Sequence, residues 1–165
     1  MIKFHLSFVI CFCIKIVYSQ VNPNNIDIVR GQYGTPHIFS KTDKEAAYGL
    51  AWAHSEDDFK TIQETFLPVK GFFGKYKGEE GAQLDYVVQL LKCKETVEKQ
   101  FENLSSEVVE VIKGYVEGLN AYALAHPNEV LIKKTFPITI KEYLTGYNLV
   151  IHFFSDTGAV LKDLF

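Results

Sequence analysis

Histidines are the first place to look for a metal site, because imidazole is the commonest side-chain ligand. His37, His54, His126 and His152 stand far apart, with no His-x-x-x-His or similar spacing between them. Glu56-Asp57-Asp58 is acidic but lacks the glycine and ligand spacing of a calcium loop. It reads as a solvated turn or helix face. No metal and no cofactor is expected. Beyond the first 19 residues the serines are Ser40, Ser55, Ser105, Ser106 and Ser155, and none lies in Gly-x-Ser-x-Gly. Cys93 has Lys92 and Lys94 beside it, and positive charge favours a thiolate. A lone cysteine on a helix nevertheless reads more simply as a packed structural residue. Gly71, Gly74, Gly78 and Gly81 are not followed by Gly-Lys-Ser/Thr, so no phosphate loop is present. The residues by themselves form no catalytic constellation, and no catalytic residue is assigned to this chain.

The elements that would position any site are mainly helical. Ile26 to Arg30 alternates and is β-branched, Gly31 to Gly34 is a turn, and Thr35 to Phe39 extends again, which predicts a hairpin. A two-stranded hairpin is marginal alone, so it should pair with strands outside this chain. Thr42-Asp43-Lys44-Glu45 and Thr139-Ile140-Lys141-Glu142 are capping boxes, each opening a helix. The first should run through Phe66 and Leu67 with a break near His54-Ser55. A glycine-punctuated loop should follow over 71–81, then one helix from Leu84 to Phe101. Ser105 should cap a further helix ended by Pro127. Tyr143 to Phe154 is apolar around much of its circumference and should be buried.

The chain has 165 residues, 47% hydrophobic and 22% charged, with 13 Phe and 9 Tyr. That supports a folded domain with large aromatic contacts rather than disorder. A net charge of −3 without a basic patch argues against nucleic acid. Residues 1–19 differ from the rest. Lys3 precedes an apolar run from Leu6 to Ile14, and Val17 and Ser19 suit a signal-peptidase site before Gln20. The run is too short to predict a membrane span. Residues 1–19 are thus expected to be a signal peptide and residues 20–165 the mature segment, secreted or periplasmic. Cys11 and Cys13 would leave with the leader, so Cys93 has no disulfide partner.

Three stretches taken together resemble the penicillin amidase family, which includes penicillin G, cephalosporin, aculeacin and acyl-homoserine-lactone acylases. The first is Ile28 to Ile38, similar to the family's opening Arg-Asp-x-x-Gly-Val-Pro-His-Ile. The second is Asp43 through Ala46, Tyr48-Gly49, Ala51, Ala53 and Asp57. The third is Gly114 to Tyr122, close to Ala-Tyr-x-x-Gly-Val-Asn-Ala-Tyr. Between them, Gly71 to Gly78 and Asp85 fall where the family has Gly-x-x-Ala-Glu-x-x-Gly and a following Asp. Gly31, Asp58 and Gly74-Lys75 depart from the usual residues.

The resemblance implies a fold, a mechanism and a partner. The fold is the α-chain part of an αββα N-terminal-nucleophile hydrolase. Such enzymes are made as one precursor that cleaves itself, exposing a serine as the first residue of a β segment, whose own α-amino group serves as the base. The expected partner is that β segment, and the expected substrate a small-molecule acyl amide of the penicillin, acyl-homoserine-lactone or lipopeptide type. By this reading the chain holds no N-terminal serine nucleophile and is inactive alone. The family's α segment lends part of the acyl pocket from its last helix. Phe154 matches the Phe of the penicillin G acylase stretch Asn-Arg-Phe-Ser-Asp, and Phe153 replaces the Arg. Phe153 and Phe154 are therefore the expected substrate-pocket residues, in a more apolar pocket. Val160 falls where penicillin G acylases place a calcium-binding Glu. The alternative from another class is a free-standing secreted helical binding protein, or a decayed acylase fragment without activity.

Overall fold

The computed structural model describes residues 20–155. The expected signal peptide and Val160 lie outside the described residues. Strands β1 (Asp27–Arg30) and β2 (Pro36–Phe39) form an antiparallel hairpin, with Ile28 opposite Ile38 and Val29 opposite His37. Its turn closes through the Gly34 N–H donating to the Gly31 carbonyl, with Gly34 at φ 81°, where a side chain would be strained. Ile26 and Ile38 rest on the first helix at Gly49.

That helix, α1 (Asp43–Phe66), opens as a full capping box between Thr42 and Glu45. Ala47, Ala51, Ser55, Phe59 and Gln63 recur every four residues and form its buried stripe. The break expected near His54-Ser55 lies at Asp58, whose backbone is non-helical at φ −157° and ψ 66°. Asp58 accepts the Thr61 N–H and so recaps the helix.

Residues 71–81, expected to be loop, contain helix α2 (Phe73–Lys77) and the start of α3 (Glu79–Leu90). The Asp85 carboxylate accepts the Phe73 and Gly74 N–H groups, satisfying donors that a helix start leaves free. The single helix expected from Leu84 to Phe101 is two. Lys92 adopts the left-handed conformation and separates α3 from α4 (Cys93–Gln100).

Helix α5 (Ser106–Ala125) is capped by Ser105, as its sequence predicts. It crosses α1 at close range, because a Cβ on Gly114 or Gly118 would stand 2.1 Å from the Lys44 carbonyl or 2.5 Å from that of Tyr48. The main core is shared by Ala51, Phe66, Val116, Leu119 and Ile138. Two amides, one buried and one half-buried, pin the segment between α5 and α6 (Ile140–Phe154). Gln63 bonds the Glu129 carbonyl and the Leu131 N–H, and Asn120 bonds both backbone groups of Ile138. Among the described residues, no helix is long and apolar enough to cross a membrane.

Candidate functional site

Helix α6 carries the residues the sequence marks for a pocket. Its Thr139–Glu142 capping box forms in both directions. Two further bonds fix its entry: Lys70 Nζ lies 2.9 Å from Glu142 and donates to the Pro137 carbonyl at 3.3 Å. Gly146 packs on Thr65 and Phe66 of α1. Leu149 joins Val87, Val88 and Cys93 in a second core cluster.

The expectation that α6 is buried is corrected. Only Thr145, Gly146 and Leu149 are buried, while Tyr147, Ile151, Phe153 and Phe154 are exposed. The helix is apolar on more than one side, and α1, α4 and α5 cover one side of it. Phe153 and Phe154 share the C-terminal tip, 47% and 88% exposed, and neither lines the groove or the cleft described next. One turn earlier, Tyr147 and Ile151 line a groove of about 290 Å³ with Val97, Phe101 and Leu104. A larger cleft, about 650 Å³, lies against α5 between Tyr48, Ala121, Leu124 and Phe136.

Sequence reading missed an aromatic row that backs α6. Tyr143 packs against Tyr115 (ring centroids 5.3 Å apart), Phe66 and Tyr147. The Tyr115 hydroxyl and His54 Nδ1 are 2.9 Å apart. Burial, with Tyr143 adjacent, pushes the Tyr115 phenol up to about 12, so it stays protonated at ordinary pH. The spacing Phe66, Tyr115, Tyr143 crosses three helices, so no periodicity within one helix signals it.

The candidate nucleophiles fill structural posts. Ser55 is buried and donates to the Ala51 carbonyl, Ser105 caps α5, and Ser155 Oγ donates to the His152 carbonyl. Cys93 is fully buried, and burial pushes its thiol up, against the effect its lysine neighbours suggest. Among the described residues no cluster of three or more His, Cys, Asp or Glu side chains could hold a metal ion. The acidic run is not merely solvated: Glu56 and Asp57 grip the Arg30 guanidinium at 2.9 and 2.8 Å. Arg30 also donates to the carbonyls of Gly34 and Ala53, which ties the hairpin to α1.

The family model for penicillin amidase matches residues 25–152, from before the hairpin into the last turn of α6 but short of Phe153 and Phe154. The chain belongs to the penicillin amidase family. It is 27% identical over 97 residues to the penicillin acylase 2 proenzyme of Pseudomonas sp. (strain SE83), covering 59% of this chain and 12% of that protein. It is 24% identical over 130 residues to penicillin G acylase of Escherichia coli, covering 76% and 15%. The acyl-homoserine lactone acylase PvdQ of Pseudomonas fluorescens (strain Pf0-1) is 25% identical over 113 residues, covering 64% and 14%. The chain thus spans 12% to 15% of the length of these relatives. Among solved structures, the thermostable penicillin G acylase from Alcaligenes faecalis matches at a TM-score of 0.63 and 20% identity. That match covers 78% of this chain and 72% of the other and shows a shared fold.

The family motifs do structural work in this chain. Arg30 of the opening motif holds the hairpin on α1, and Asp85 holds the start of α2. Gly114, Gly118 and Asn120 of the third stretch bring α5 onto α1 and fasten the approach to α6.

Proposed function

We propose that this chain is the α segment of an exported N-acyl amide hydrolase, which pairs with a β segment from the same precursor after self-cleavage. The exposed C-terminal half of α6 carries this reading. A helix presenting Tyr147, Ile151, Phe153 and Phe154 to solvent is an apolar surface awaiting cover. The relatives support it, since one is a proenzyme and the chain spans only 12% of its length. In this reading Phe153 and Phe154 form one wall of the acyl pocket, and the β segment supplies the serine, its amino-group base and the oxyanion donors. The substrate is an acyl amide of the penicillin, acyl-homoserine-lactone or lipopeptide type, and an apolar tip suits a fatty or aromatic acyl group. Residues 1–19 act as the signal peptide that sends the precursor to the periplasm or outside.

The test is hydrolysis of a chromogenic acyl amide. The 165-residue chain alone should show none, and the chain assembled with a serine-led β segment should turn it over. Turnover by the chain alone overturns the assignment of the nucleophile to β.

A further inference from the structure

The aim of the α6 tip depends on a bond at the other end of the helix. Lys70 sits on the turn leaving α1, where its N–H donates to the carbonyls of Phe66 and Leu67, both buried. Its backbone is therefore fixed by the core. Its ammonium, 15% exposed, reaches Glu142 at 2.9 Å and the Pro137 carbonyl at 3.3 Å, and so holds both the chain entering α6 and its first turn. The same Glu142 carboxylate accepts the Thr139 N–H at 2.8 Å. Four residues on, Gly146 rests on Thr65 and Phe66 with no side chain between the helices. Beyond it Leu149 is the last buried residue. Helix α6 is thus tied at Glu142, bears on α1 at Gly146 and on Val87, Val88 and Cys93 at Leu149, and carries Phe153 and Phe154 on the exposed turn beyond. From Leu149 the tip extends roughly 7.5 Å at the helical rise, so a tilt of the helix that starts at Glu142 is carried to both rings. The ion pair from Lys141 to Glu98 joins two side chains 43% and 48% exposed, and an exposed pair holds geometry weakly.

We propose that Lys70 and Glu142 are positioning residues that set where Phe153 and Phe154 stand, and through them which acyl length is accepted. This rests on the tip being a pocket wall. The test uses the assembled acylase and a graded series of acyl chain lengths, with kcat and KM measured for each. Lys70→Met and Glu142→Gln should each change the ratio of long-chain to short-chain kcat/KM by roughly tenfold, the scale on which an apolar pocket discriminates a methylene. Lys70→Arg should restore the native order. Glu142→Gln keeps an acceptor for Thr139, so it reads the effect even where Lys70→Met impairs folding. A uniform loss across the series in both variants overturns the proposal. Phe154→Ala separates the two claims: if it changes the order and the Lys70 and Glu142 variants do not, the positioning role fails alone. If none of them changes the order, the pocket reading fails as well.

Discussion

Phe154 is 88% exposed, and that decides what its removal does. Truncating a buried ring costs roughly 3–5 kcal/mol, whereas an exposed one costs within about 0.5 kcal/mol. Phe154→Ala should therefore leave the melting temperature of the isolated chain nearly unchanged. If, as proposed, the ring is a wall of the acyl pocket, its removal from the assembled acylase should favour longer or bulkier acyl groups. A drop in melting temperature of the isolated chain together with an equal loss on all substrates would assign the ring to a core. Gly118 behaves oppositely. A Cβ there would stand 2.5 Å from the Tyr48 carbonyl, so Gly118→Ala must push α5 from α1. The expected loss is about 1–3 kcal/mol by denaturant titration, and an unchanged midpoint would contradict the close crossing. Gln63 is fully buried and holds the Leu131 N–H and the Glu129 carbonyl. Gln63→Leu strands both groups and should cost about 2–3 kcal/mol.

At the scale of elements, capping chemistry was the legible part. Thr42 and Thr139 each announce a helix through a Glu three residues on, and both boxes form as written. The hairpin was legible because alternation flanks a glycine turn. The breaks were not. Asp58 recaps α1 through a local bond to Thr61, yet an Asp inside an apolar-periodic stretch reads equally as surface charge. Lys92 takes a left-handed conformation without a glycine to mark it, since burying Cys93 and Val97 fixes the corner between α3 and α4. Phe153 and Phe154 were named by family likeness, and no periodicity separates a buried apolar helix from one left exposed along one side.

The same elements give a pH dependence. Burial raises the Glu142 carboxyl, but bonds from Lys70 and Thr139 outweigh it and hold the group below its ordinary range. Glu110 is likewise lowered by Lys44, against a smaller rise from burial. A carboxylate whose folded value is depressed stabilises the fold above its unfolded value and loses that contribution as pH falls through the folded one. Thermal stability should thus be flat at neutral pH and decline below the ordinary carboxylate range. Glu142→Gln should shrink that decline, measured as melting temperature against pH, and an unchanged slope would show that Glu142 is not a source of it.

For the whole molecule, the described residues form a helical platform with two exposed apolar surfaces. The hairpin exposes Val29 and Phe39, and α6 exposes Tyr147, Ile151, Phe153 and Phe154. Family membership accounts for the platform, since residues 25–152 match the penicillin amidase model. We propose that the platform is one segment of an acylase whose nucleophile lies elsewhere. The most direct test is the rate of hydrolysis of a chromogenic acyl amide by the purified chain, before and after a serine-led β segment is added. No turnover above buffer is expected before addition, and sustained turnover after it. Hydrolysis by the chain alone, or none from an assembled pair, would contradict the proposal.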